Sequence, residues 1–355
     1  MPSWTHTGYA QQIHFGAGTV GRLPEIARTL GVRRLMLVTT AGRQDSDDGQ
    51  RIARSLGRSL ASTFAEVRSH VPTTAVQAAV MQARRDGIDG LVSFGGGSCA
   101  DLAKAVAFFT EQEAGTPGAS YADRPALPHM SIPTTYAGAE LTPFFGMTDE
   151  SARRKTGAGS PTVAPIAAVY DPSLTLSTPP RVSAETGMNA LAHCVEAAWS
   201  PQRTPEAEAI AVAGCRIVFA ALPAVVAAPD DLDARTSMLE GAVLGGRCLQ
   251  NAAMGVHHGL AQLIGGRTGM AHGLANALIL PHAIRFMTRD APEEVRRVGE
   301  AIGAPEDPAG AIADLVGRLG LPGGLSDCGV DDEDLEAVIR QAQHDGARSI
   351  LEAAF

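Results

Sequence analysis

The stretch Asp89–Phe109, DGLVSFGGGSCADLAKAVAFF, decides the fold. Asp89–Phe94 is a short apolar run that ends in Gly95-Gly96-Gly97-Ser98 and passes directly into a segment free of helix breakers. A continuous apolar run of this length reads as a strand buried on both faces, as in a parallel sheet. Strand, glycine turn and helix, in that order, present backbone N–H groups and a helix N-terminus to an anion. Glycine lets the backbone come close to such a group and adopt positive φ. The spacing is neither GxGxxG nor a Walker loop, so a plain turn also stays open.

The flanking sequence repeats the same alternation. Gln12–Gly18 (QIHFGAG) reads as a strand and glycine turn, with a helix to about Leu30. Arg33–Thr40 is a buried strand, residues 50–63 a helix, Phe64–Val67 a short strand and Thr73–Asp86 a helix. After a loop over Ala114–Pro128, Met130–Glu140 gives a strand and a polar turn, and Phe144–Thr148 and Ala167–Tyr170 read as edge strands. This predicts an α/β dinucleotide-binding domain with a doubly wound, mostly parallel sheet over residues 1–178. From Pro179 the pattern turns helical and alanine-rich, with helices expected near 184–199, 205–226, 231–251, 253–264, 273–287, 292–303, 307–319 and 331–344. Residues 179–355 are therefore expected to form an all-helical substrate domain, with a ligand in the cleft between the halves.

Composition narrows the function. The chain has 355 residues, 45% of them hydrophobic, and a net charge of −9. Its longest basic run is Arg153-Arg154-Lys155, so neither nucleic acid nor an anionic membrane is an expected partner. We read no run of about 18 apolar residues and no signal-peptide pattern. Five scattered cysteines without a CxxC pair fit a reducing cytoplasm.

Within the helical half, Ser183–Ala198 (SAETGMNALAHCVEAA) carries Asn189 and His193 one turn apart on one face. The face looks like a metal site that has lost its anionic ligand, and equally like a helix that buries a histidine. His257, His258 and His272 follow on later helical segments. Their spacing fits core histidines or a zinc or iron ligand set.

Five ordered motifs then point one way: GGGSxxDxAK, PTTxAGxE, VYDPSLT, GMxALxHxxEA and HxxxxxxxGG…HGxxNAxxLPH. Together they resemble the iron-containing (group III) alcohol dehydrogenases across essentially the whole chain. The resemblance implies a dehydroquinate synthase-like fold. It implies that Gly95, Gly96, Gly97 and Ser98 bind a pyrophosphate, with Asp101 and Lys104 on the helix behind them. Thr134 and Thr135 would lie near the phosphate and nicotinamide ribose, and Leu174 beside the adenosine. The family's metal ligands, an aspartate and three histidines, correspond here to Asn189, His193, His258 and His272.

The maleylacetate reductase branch departs from the family in the same way. It is similar to this chain in GMNAxAHxxEA, in the pair His257-His258, and in Pro133–Thr148. That likeness implies reduction of maleylacetate, or a related enone or keto acid, to 3-oxoadipate or its analogue, by NADH or NADPH and without a metal. His193, His257, His258 and His272 would stabilise an enolate and deliver a proton. Tyr136, Asn189 and Arg247 are the expected substrate contacts, with Arg153, Arg154 and Lys155 as further candidates for its carboxylates. Thr39 and Thr40 replace the acidic residue that many relatives place after the second strand, so NADPH is expected to be tolerated, with Thr40 beside the ribose.

The chain differs from the branch at Gly259, Gln262 and Leu274–Asn276, where the branch has a lysine, a histidine and a Glu/His pair. A less charged enone, ketone or aldehyde is thereby kept open as substrate. So are a zinc- or iron-dependent alcohol dehydrogenase and, from another class, a dehydroquinate synthase-like lyase. A cytoplasmic homodimer is expected on fold analogy.

Overall fold

The computed structural model describes residues 8–116, 125–151 and 154–355. The chain separates into two compact units. The N-terminal unit runs to Thr135 and resumes over Ala139–Thr175; the helical unit takes Tyr136–Gly138 and Leu176–Phe355. The sequence suggested a single cut after residue 178. Instead the helical unit draws a three-residue loop out of the first half, which has consequences for the histidines.

The N-terminal unit is built on a six-stranded sheet, parallel throughout, in the order β1-β8-β5-β4-β2-β3. Its strands are β1 (Gln12–Phe15), β2 (Leu35–Val38), β3 (Leu60–Phe64), β4 (Gly90–Gly95), β5 (His129–Pro133) and β8 (Ala167–Tyr170). The inner strands are buried along their whole length, as their unbroken apolar sequence requires. Period-two alternation sends Leu35, Leu37, Val92 and Phe94 to one face, against helices α1 (Leu23–Thr29) and α3 (Asp47–Leu56). Met36, Val38 and Leu91 go to the other, against α4 (Thr73–Arg85) and α5 (Gly97–Glu113).

Three local expectations are corrected. The helix expected over 50–63 breaks at Leu56, after a short α2 (Ala41–Asp45), and β3 begins at Leu60, four residues before the expected strand. β8 is no edge strand: it lies between β1 and β5. Phe144–Asp149 (β6) leaves the main sheet and forms an antiparallel hairpin with β7 (Arg154–Gly159). Pairing partners are not written in a strand's own sequence. Part of the expected 114–128 loop, and Arg153 and the Arg154 side chain, lie outside the described residues.

Strand order reverses between β2 and β4, and in open α/β sheets ligands sit beyond the strand ends at that point. Here Thr39 donates to the Phe94 carbonyl at 2.8 Å, which ties the two ends together. The glycine turn follows. Gly95 has φ +144°, and a Cβ there would meet Cys99 Sγ at 2.6 Å, so only glycine fits.

Lys104 corrects a residue expected at the cofactor. It is fully buried, and its ammonium pairs with Asp101 (2.8 Å) and donates to Ala139 O (2.9 Å), Thr142 Oγ1 (3.0 Å) and Phe144 O (2.5 Å). Those bonds spend it on the chain following β5. Asp101 is held by Lys104 and by the Gly146 amide at 3.4 Å. Leu174 is likewise wholly buried in the Leu37–Val169 cluster, with no open face for an adenosine.

The helical unit comprises α6 (Pro180–Trp199), α7 (Pro205–Ala227), α8 (Leu232–Asn251), α9 (Val256–Thr268), α10 (His272–Asp290), α11 (Pro292–Ile302), α12 (Pro308–Arg318), α13 (Asp332–Gln341) and α14 (Ala347–Ala354). The last of these has no counterpart in the sequence reading. α7 is long and apolar enough to cross a membrane, with a mean hydropathy of 2.2 over an 18-residue window, contrary to that reading. Its alanines raise the hydropathy, and it packs against α6 and α8.

Replacing Lys104 with methionine leaves Asp101 and three backbone or hydroxyl acceptors without their donor, and should cost about 3 kcal/mol of unfolding free energy. A denaturant midpoint within error of wild type would contradict the assignment. Acid should also weaken the fold through His129, which is buried between β4 and β8 with Nε2 2.7 Å from Ser93 Oγ. Burial, then the Lys104 charge, pushes its pKa down to about 3. The unfolded chain therefore takes up a proton near pH 6.5 that the native state refuses until about pH 3, so stability present above 6.5 is lost as pH falls between them. The His129→Gln variant should show a shallower decline in urea midpoint between pH 7.5 and 5.

Candidate active site

The helical unit gathers the histidines. α6 sets Asn189, His193 and Glu196 on one face by i, i+3 and i+4 spacing. The first turn of α9 supplies His257 and His258, and His272 opens α10. The His193 and His258 rings stack at 4.7 Å between centroids and 22° between planes, and His272 lies 5.6 Å from His258.

Glu196 had no role in the sequence reading beyond closing a motif, yet it is the hub. Its Oε1 accepts from the Gly255 and His257 amides, both at 3.1 Å. Its Oε2 accepts from the His258 amide at 3.2 Å and lies 2.5 Å from His258 Nδ1. Burial alone would raise this carboxyl, but the hydrogen bonds from His257 and His258 outweigh it and hold it well below the usual carboxylate range. Burial lowers His258, with Glu196 opposing, and burial followed by the His258 and His272 charges holds His193 well below its ordinary value. His193 Nδ1 and His258 Nε2 are buried and have no hydrogen-bond partner among the described residues.

The loop drawn in from the first half lies beside this group. Gly138 has φ +78°, and a Cβ on it would come 2.9 Å from Gly246 Cα and 3.8 Å from His193 Nδ1. Arg235, wholly buried, holds the loop by donating to Tyr136 Oη (3.0 Å), Ser183 Oγ (2.7 Å), and the Thr178 and Pro229 carbonyls. Tyr136 is therefore not the open substrate contact expected of it: it is fully buried and its hydroxyl accepts from Arg235. Arg247 donates to Gln250 at 2.5 Å on its own helix, and among the described residues no hydrogen bond joins it to the histidines. Lys155 lies on β7 of the other unit.

The donor set can be tested for a divalent metal at Asn189. Its Oδ1 accepts from Asn276 Nδ2 at 2.8 Å, and its Nδ2 donates to Ala137 O at 3.4 Å. The oxygen that should replace an aspartate ligand is thus neutral and already bonded. Among the described residues, Glu196, His257 and His258 bring ligand atoms within 4.8 Å of one another, but Glu196 is filled by three amides and an imidazole. These residues do not fit a divalent ion well: the set offers no free anionic oxygen to offset its charge.

On the other unit, α5 starts at Gly97 without a side-chain cap, and Thr135 packs against Gly96, where a Cβ would lie 3.3 Å from it. The Thr134 amide donates to the Gly95 carbonyl at 2.9 Å. Uncapped amides beside a turn with no room for a Cβ at Gly95 and little at Gly96 suit a pyrophosphate. Thr40 caps α2 by accepting from the Arg43 amide at 3.2 Å.

Comparison with known proteins gives the family. Residues 10–172 match the iron-containing alcohol dehydrogenases, and residues 183–350 match the C-terminal part of the Fe-containing alcohol dehydrogenase family. Maleylacetate reductase 2 of Cupriavidus pinatubonensis is 38% identical over 304 residues, covering 86% of this chain and 79% of that protein. The crystal structure of maleylacetate reductase from Agrobacterium tumefaciens matches with a TM-score of 0.89 at 32% identity, over 100% of this chain and 99% of its own. A sulfoacetaldehyde reductase from Bifidobacterium kashiwanohense, crystallised with NAD+, matches at 0.88 and 28% identity, over 97% and 93%. The chain belongs to the iron-containing alcohol dehydrogenase family and is an oxidoreductase.

Proposed function

We propose that the protein is a metal-independent, NAD(P)H-dependent reductase of maleylacetate or a closely related enone acid, giving 3-oxoadipate or its analogue. The observation that carries the reading is the Asn276–Asn189 hydrogen bond, which occupies the oxygen at the position of the family's anionic ligand and leaves histidine nitrogens to do the polar work. Maleylacetate reductases among the relatives, and the NAD+ held by one structural neighbour, support the substrate class and the cofactor.

The glycine turn Gly95–Gly97, Ser98 and the start of α5 would hold the pyrophosphate, with Thr134, Thr135 and Thr40 toward the riboses. The bound nucleotide supplies a hydride. An alkene conjugated to a ketone takes hydride at its β-carbon and becomes an enolate, which needs one proton at the α-carbon to give the saturated ketone. His193 and His258 offer buried nitrogens without a hydrogen-bond partner among the described residues, where stabilising such an oxyanion and moving a proton are both effective. His257 donates to the Asn276 carbonyl at 3.0 Å and supports them from behind. A cytoplasmic homodimer belongs to the same proposal, by analogy with the fold.

One observation favours a second substrate reading. A side chain at Gly259, where the branch has a lysine, would meet nothing within 4 Å, so that cation is simply missing. A monoanionic or neutral enone, ketone or aldehyde would suit this site better than a dianion.

Protein purified without added metal should oxidise NADPH or NADH on addition of maleylacetate, and keep that rate after chelation. Stoichiometric zinc or iron with chelator-sensitive turnover would restore the metal-dependent alcohol dehydrogenase reading. Activity on simpler enones or aldehydes but not on maleylacetate would select the second substrate class. Changing His258 to alanine should lower kcat by about 10²–10⁴-fold while leaving nucleotide affinity unchanged.

A further inference from the structure

The proton inventory around Glu196 is fixed by its neighbours. His257 Nε2 lies 3.0 Å from the Asn276 carbonyl, which can only accept, so His257 carries its proton on Nε2. Glu196 Oε2 lies 2.5 Å from His258 Nδ1. A carboxylate oxygen can only accept, so His258 carries a proton on Nδ1. The lone pair of neutral His258 is consequently on Nε2, the buried nitrogen without a hydrogen-bond partner among the described residues.

We propose that Glu196 is a positioning residue for the reduction: through Nδ1 it fixes the tautomer and orientation of His258, so that Nε2 is the nitrogen that takes up a solvent proton, forming an imidazolium beside the carboxylate, and then gives that proton to the enolate's α-carbon. The inference rests on the proposed function, because it assumes that chemistry takes place at the histidines. Its further content is that a group without substrate contact sets which nitrogen works. Glu196 can do this because three backbone amides hold its other acceptor sites. The same amides tie it to the first turn of α9, so carboxylate and imidazole move as one piece.

Glu196→Gln removes the acceptor at Oε2 and keeps the one at Oε1. The amide oxygen can still accept from the Gly255 and His257 amides, but its NH2 faces the His258 amide and His258 Nδ1, and forces that ring nitrogen to accept. The His258 proton moves to Nε2. We expect kcat to fall by about 10²–10⁴-fold, as carboxylate-to-amide changes beside catalytic imidazoles do, with nucleotide KM unchanged. Because Glu196 acts through His258, the Glu196→Gln/His258→Ala double variant should be within about 3-fold of His258→Ala alone. Wild-type kcat in the Gln variant, or multiplication of the two losses, would overturn the proposal.

A second readout covers a variant that does not fold. In wild-type protein labelled with 15N-histidine, the His258 resonances should report Nδ1–H with an unprotonated Nε2, and the opposite tautomer would sink the idea. This spectrum needs no turnover. Wild-type protein inactive on every enone, ketone and aldehyde tried would therefore count against the proposed function, while the tautomer would still judge the role of Glu196.

Discussion

A carboxylate with no exposed surface must be given hydrogen-bond donors or it will not stay ionised. Glu196 meets that constraint with three amides at the N-terminus of α9 and one imidazole. The start of α9, the rotamer of His258 and, through ring stacking, the place of His193 all follow from it. A helix N-terminus favours a negative charge, so the arrangement supports the helix as well as the site.

Around this hub the helical unit resolves the absence of an aspartate at position 189 in a consistent way. A neutral amide cannot balance a divalent charge, but it can donate and accept at once. Asn189 does both, toward Ala137 and from Asn276. The Ala137 carbonyl is in place because Arg235 holds Tyr136 and because Gly138 permits contact with Gly246. Arg235 is a fully buried cation whose partners are neutral oxygens, an expensive arrangement that makes sense only if the loop it secures matters. The N-terminal unit shows the same economy at Lys104, whose single ammonium organises the chain from Ala139 to Phe144.

Much of this was legible in the chain itself. Strand β4, the glycine turn and α5 were readable because an apolar run, a Cβ-free turn and an uninterrupted helical segment are local features. The helices from α6 to α13 were readable for the same reason, as was the shared face of Asn189 and His193. Glu196 was visible three residues beyond His193, and the helical period alone could have placed it on that face.

Sequence by itself determined most of the elements, the glycine turn and the set of histidines, since each depends on residues within a few positions of one another. Only the tertiary structure decided what those residues face. It put β8 inside the sheet, sent Tyr136, Lys104 and Leu174 into buried contacts, and joined Asn189 to Asn276 across 87 positions of chain. Burial and hydrogen-bond partners arise from segments far apart in the chain, and a side chain's role turns on which partner meets it.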